Sequence, residues 1–273
     1  MGIGGAAARA GRRRHGRGRF AHAAAFAAAC AVLMLATADA VAGGPLSAAD
    51  AAVHAFADRH EPEGTALAVA VAVARLGQRW VTIPLLAAVG VWALVRRRDS
   101  RPLLAAGTGL AALAVAGTLL KVFVGRTPPI TGVDVADPGL ANVAEYLAVL
   151  VGLAAGPYDG FVSHPSGHAA NAALSYPLLA WLLFGARGVH PSHRALRRAL
   201  AAAAGPVLAV AAMVVLLDYH WVSESVTGIA LGAAVLAPAL LLLRPISDSP
   251  DLAYTEDSDK ILPSTVPRGS SRG

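Results

Sequence analysis

Cysteine is almost missing from this 273-residue chain. The one present, Cys30, lies inside an apolar run, so no internal disulfide forms and no cysteine metal centre is available. Charge is scarce as well: Asp, Glu, Lys and Arg together make up 15% of residues, against roughly 25% in a soluble domain. That is too little to cover a water-facing surface. The 28 glycines are scattered, and no G-x-G-x-x-G follows a strand-like run, which removes the dinucleotide-binding class. Aromatics are 5% of the chain and are not interleaved with its basic residues, so the net charge of +6 does not form a nucleic-acid surface. The arginines sit instead in short clusters between apolar runs, where they set membrane topology.

What the chain has in abundance is apolar sequence. Hydrophobic residues reach 56% and mean hydropathy is +0.56, in runs close to the ~20 residues a helix needs to cross a bilayer core. The expectation is an all-α, polytopic membrane bundle of about six transmembrane helices with an interfacial helix on its outer face. Residues 1–19 read as a disordered basic tail carrying Arg9, Arg12, Arg13, Arg14, Arg17 and Arg19. Phe20 to Val41 is the first apolar run. Ala38-Asp39-Ala40 also resembles a signal-peptide cleavage site, but the run is long for a signal core, and a retained helix is preferred. Ser47 to His60 has one apolar and one polar face, as an interfacial helix would, and Thr65 to Leu76 continues along that surface or begins the next span. Further spans are expected at Trp80–Val95, Leu103–Leu120, Ala169–Phe184, Ala199–Leu217 and Val226–Leu243. A polar loop from Arg126 to Pro165 holds one apolar stretch at Val143–Ala155. Residues 20–243 thus form the membrane domain, and 244–273 a disordered polar tail.

The arginine clusters at the N-terminus, at 96–101 and at 187–198 all fall on one side of this layout, which makes that side and both termini cytoplasmic. Lys121, Arg126, Ser166, His168, His220 and Glu224 then gather on the opposite, outer side, although none was used to assign it. The alanine- and arginine-rich composition points to a high-GC bacterial source and hence to a plasma membrane.

Three short stretches carry the chemistry. In Lys121-Val-Phe-Val-Gly-Arg126-Thr-Pro-Pro129, a lysine at a span end could simply snorkel to the headgroups. A second cation on a proline-stiffened loop suits a bound anion. His164-Pro165-Ser166-Gly167-His168 precedes an apolar helix that Ser166 can cap, and N–H groups at such a start attract anions. In Asp218-Tyr219-His220-Trp221-Val222-Ser223-Glu224, His220 and Glu224 share a helix face. The carboxylate can hold one ring nitrogen and leave the other as a nucleophile.

In this order, and on one side of the membrane, these stretches resemble the type 2 phosphatidic acid phosphatase superfamily, with its K-x6-R-P, P-S-G-H and S-R-x5-H-x3-D motifs. The resemblance runs from about Leu67 to Leu243. It implies that Lys121, Ser166 and Gly167 bind phosphate, that His168 is the general acid, that His220 is the nucleophile, and that Glu224 replaces the orienting aspartate. The chain departs from the pattern at three places. Pro128 stands where the first motif has arginine, Met213 and Val214 stand where the third has S-R, and Glu224 stands for aspartate. Arg126, two residues before Pro128, is the candidate substitute phosphate ligand. The implied activity is a cofactor- and metal-independent lipid phosphate or diphosphate phosphatase working through a phosphohistidine. The alternative is a lipid-phosphate-binding or transport protein that has lost hydrolysis along with the missing arginines.

Overall fold

The computed structural model describes residues 3–154 and 156–243, with side chains described from residue 23 onward. Among the described residues the regular structure is helical: α1 (Ile3–Ala42), α2 (Pro45–Arg59), α3 (Gly64–Arg75), α4 (Arg79–Arg97), α5 (Arg101–Val124), α6 (Leu140–Leu150), α7 (Gly167–Phe184), α8 (His193–Leu216) and α9 (Val222–Leu241). The residues up to Leu243 form one compact unit. The expected polar tail at 244–273 lies outside the described residues.

Local chemistry explains the helix boundaries. Proline opens α2 and α5, where its missing N–H costs nothing. Gly125 ends α5 at φ 56, a left-handed C-cap that glycine adopts without strain. Ser166 and Ser192 cap α7 and α8, each hydroxyl accepting from a backbone N–H three residues on. The basic segment from Ile3, expected as a disordered tail, is drawn as the first part of α1. Alanine and arginine are strong helix formers, and the helix runs unbroken into the apolar stretch.

Among the described residues, five helices are long and apolar enough to cross a membrane: the Ala23–Ala42 part of α1, α4, α5, α8 and α9. At 12 residues α3 is too short to cross, and the turn at 76–78 separates it from α4. Helix α7, where a sixth span was expected, is 18 residues long and is not among these five; it lies at the centre of the bundle. It packs against α4, α5, α8 and α9, and its polar side chains are satisfied inside the protein. Asn171 Nδ2 donates to Gly77 O and to Thr82 Oγ1, both at 2.8 Å.

Small residues set how closely α7 and α9 approach. Lipid tails are as apolar as leucine, so helices in a bilayer are held by close packing rather than by hydrophobic exclusion. Gly228 and Gly232, one turn apart on α9, face Ala169, Ala170 and Ala173 of α7. A Cβ at Gly228 would lie 2.5 Å from Ser166 O, and one at Gly232 would sit closer still to Ala170 O. Larger side chains pack in two core clusters, with Leu113, Leu174, Leu231 and Val235 in one and Val207, Val210 and Val214 in the other.

Candidate active site

The seam between α7 and α9 brings two helix N-termini together, and Ser166 N donates to Glu224 O at 2.9 Å across the junction. Glu224 is fully buried in the first turn of α9. Its Oε2 accepts from the Trp221 N–H at 3.3 Å, as the third helical residue of a capping box does. The same oxygen accepts from Ser163 Oγ at 2.6 Å and meets His220 Nδ1 at 2.8 Å. Because a carboxylate only accepts, the His220 proton is on Nδ1 and the lone pair is on Nε2. That is the tautomer a nucleophilic histidine needs.

His168 stands across from His220, with ring centroids 6.1 Å apart and planes inclined at 64°. It is half-buried, and the neighbouring Gly167 is exposed, so this side of the pair is open. Lys121 is beside them: a Cβ at Gly167 would be 4.0 Å from its Cε. The ammonium donates to Val162 O at 2.8 Å and Ser163 O at 2.9 Å, so the loop after α6 holds it, and one of its three donors remains. Lys121, Ser166, Gly167, His168, His220 and Glu224 are therefore gathered around one spot.

Arg126 is placed differently. It has no exposed surface, and its guanidinium is occupied by protein groups. Nε and Nη2 form a fork on the Asp134 carboxylate at 2.7 and 2.6 Å, Nη2 also reaches Asp50 Oδ2 at 2.7 Å, and Nη1 donates to Ser223 Oγ at 2.6 Å. Burial works against its charge, yet the bonds to Asp134 and Asp50 outweigh this and raise its pKa above the ordinary value. The expected phosphate ligand thus ties α2 and the 126–136 loop to the start of α9. Asp50 completes the tie by accepting from Ser223 N at 2.8 Å, a cap supplied to α9 from another helix.

Neither motif departure is undone by a neighbour at the same position. Val214 is completely buried among Ala172, Ala173, Val207 and Val210, an environment with no place for a guanidinium. Pro128 precedes a 3-10 turn at Pro129–Thr131. Several contributors were not singled out in the sequence. Ser163 shares the Glu224 oxygen, and Gln78 Nε2 meets His168 Nε2 at 3.2 Å. His164 Nε2 meets Thr37 Oγ1 of α1 at 3.1 Å. Burial, then the nearby Arg126, Lys121 and His220, push the His164 pKa down to about 3. Ser163, next to the His-Pro-Ser-Gly-His stretch, and His164, its first residue, had a local signal. The others depend on contacts between distant segments.

One group among the described residues has the chemistry of metal ligands: His54, Asp58 and Asp218, with ligand atoms within 4.8 Å of one another. The imidazole already bridges the two carboxylates, with Nδ1 2.9 Å from Asp218 and Nε2 3.7 Å from Asp58. It also packs edge-on against Trp221, so the group reads as an ion-pair brace beside the site.

Comparison with curated protein sequences finds no match. Among solved structures, the chain is similar to a transmembrane PAP2-type phosphatidylglycerolphosphate phosphatase from Bacillus subtilis. The TM-score is 0.61 at 20% identity, covering 78% of this chain and 93% of that one, a likeness of fold. The family model of the PAP2 superfamily matches residues 102–246, more than half of the sequence and the part that holds all three motif stretches. With the motif residues assembled around one spot in a helical membrane bundle, the chain belongs to the PAP2 superfamily.

Proposed function

We propose that this protein is a lipid phosphate phosphatase whose site opens at the outer face of the plasma membrane. The observation that carries the reading is the Glu224–His220–His168 arrangement. A carboxylate fixes Nδ1 of one histidine, and a second histidine faces it across a gap that one phosphoryl group can bridge. His220 Nε2 attacks phosphorus, the bond to the leaving alkoxide or phosphate oxygen breaks, and His168 supplies the proton that oxygen takes up. In the second half His168 removes a proton from water, which attacks the phosphohistidine and releases inorganic phosphate with His220 restored. The Lys121 ammonium and the N–H groups at the α7 start balance charge on the equatorial oxygens. The residues named supply nucleophile, acid and anion binding without a metal. The arginine clusters at 96–101 and 187–198 lie at the other helix ends and support a cytoplasmic position for those ends.

A second reading has its own observation. With Arg126 committed to carboxylates and Val214 in an apolar layer, the motif cations are fewer than the family pattern calls for, as in a lipid-phosphate-binding or transport scaffold. Phosphate release from a panel of lipid phosphates by purified protein, with chelator present and beside His220→Ala, separates the two. Release that disappears in the variant supports the enzyme. Folded wild-type protein that binds these lipids but releases nothing supports the scaffold.

A further inference from the structure

The turn between α3 and α4 is pinned to the active-site end of α7 by contacts that the family motifs do not account for. Asn171 holds Gly77 O at 2.8 Å, and Tyr176 OH donates to Leu76 O at 3.0 Å. Gly77 itself is pressed against His168, since a Cβ there would be 2.7 Å from His168 O. The Gln78 side-chain oxygen accepts from Trp80 Nε1, which turns its amide N–H toward His168 Nε2 at 3.2 Å. The next residue, Arg79, opens α4 and is exposed. Its guanidinium is within electrostatic reach of the Lys121 ammonium and makes no hydrogen bond or ion pair among the described residues.

Two cations therefore stand near one another, and the one carboxylate that acts on Lys121, Glu224, makes no hydrogen bond or ion pair with either. Lys121 donates to backbone carbonyls, and Glu224 Oε2 is taken by His220, Ser163 and Trp221 N. Holding like charges close is unfavourable until an anion lies between them. The other candidates for a phosphate fork are excluded by position: Arg126 is buried on Asp50 and Asp134, and Val214 and Pro128 carry no charge.

We infer that Arg79, set in place by the Gln78–His168 contact, is the second phosphate-binding cation of this site and takes over the role of the absent motif arginines. The inference rests on the reading of the site as a phosphate-handling one. Arg79 opens α4, whereas the motif positions fall at Pro128 in a loop and at Val214 on α8, so the charge is restored from a different element. A guanidinium can fork two oxygens of the phosphate that Lys121 contacts as a point charge.

The test uses full-length protein in detergent and a short-chain phosphatidic acid. Arg79→Ala and Arg79→Lys are made in the wild-type and His220→Ala backgrounds. In the wild-type background the KM for phosphate release is measured. In the His220→Ala background the dissociation constant for the same lipid is measured by calorimetry. Loss of a charge-assisted contact is expected to raise both by at least about tenfold in Arg79→Ala, with lysine restoring part of each. Values for Arg79→Ala equal to those of its parent in both backgrounds overturn the inference while leaving the phosphatase reading intact. If wild-type protein releases no phosphate, the phosphatase reading fails, and the calorimetric comparison alone decides whether Arg79 holds the phosphate.

Discussion

Replacing Arg126 with methionine separates its two possible roles, because a phosphate ligand and a structural tie fail in different measurements. The guanidinium and Asp50 are both essentially buried, at 0% and 1% exposed, so removing the cation leaves a carboxylate stranded in the protein with only Ser223 beside it. Breaking such a pair from one side costs about 3–5 kcal/mol. Asp134 adds little, since its side chain is 28% exposed and water takes over its solvation. Nearly all the loss therefore falls on Asp50, and adding Asp50→Asn to the Arg126→Met protein should recover a substantial part of it. The assay is thermal unfolding in a mild detergent followed by tryptophan fluorescence, beside the KM for a lipid phosphate. Arg126→Met should melt well below wild type, and Arg79→Ala should melt with it. An Arg126→Met protein with wild-type melting and a sharply raised KM would refute the structural assignment and return this residue to the phosphate site.

Other consequences are equally direct. Glu224→Gln keeps the side chain's shape but removes the charge that fixes the His220 tautomer, so kcat should fall by roughly 10³-fold or more with lipid affinity retained. Single-turnover phosphate release checks it, and a loss under tenfold contradicts the assigned role. Gly232→Leu forces side-chain atoms against the α7 backbone and should destabilise by about 1–3 kcal/mol or more. Gly205→Leu, on α8 with nothing within 4 Å of its Cβ position, should leave the melting temperature nearly unchanged. His164 is buried and neutral, with its folded pKa depressed to about 3. Its contribution to stability is complete above the unfolded value near 6.5 and falls by about 1.4 kcal/mol per pH unit as pH drops from there toward the folded value. A His164→Asn protein whose melting temperature declines as steeply as wild type between pH 6.5 and 4.5 would show that another group is responsible.

The local chemistry of the site was legible in the sequence, and its long-range connections were not. Ser166 as a cap and Lys121 at the end of α5 follow from spacing and helix periodicity alone. His220 and Glu224 do meet, but not on a shared helix face: α9 starts at Val222, and Glu224 reaches back from its first turn to His220 in the bend before it. Arg126 shows where such reading stops. Its distance along the chain from Lys121 and Pro128 suggests a phosphate ligand, but its role is decided by Asp50, 76 residues away, which looks like any acid on an amphipathic helix. Helix α7 was placed correctly as a helix. Its position at the centre depends on small residues of α9 that composition records only as glycine and alanine. Arg79 fell between an interfacial stretch and a span, at a boundary where no motif directs attention.

Glu224 both closes the first turn of α9 and steers the nucleophile, and one oxygen does both. The reach from the helix to that oxygen is thus a geometric constant of the site. Shortening the side chain by one methylene withdraws the oxygen from His220 Nδ1, from Ser163 and from the Trp221 N–H together. A glutamate-to-aspartate exchange, mild by chemical class, would here require the start of α9 to shift by a comparable distance. The identity of the acid and the register of the helix are therefore a single inherited unit that no lone substitution can separate.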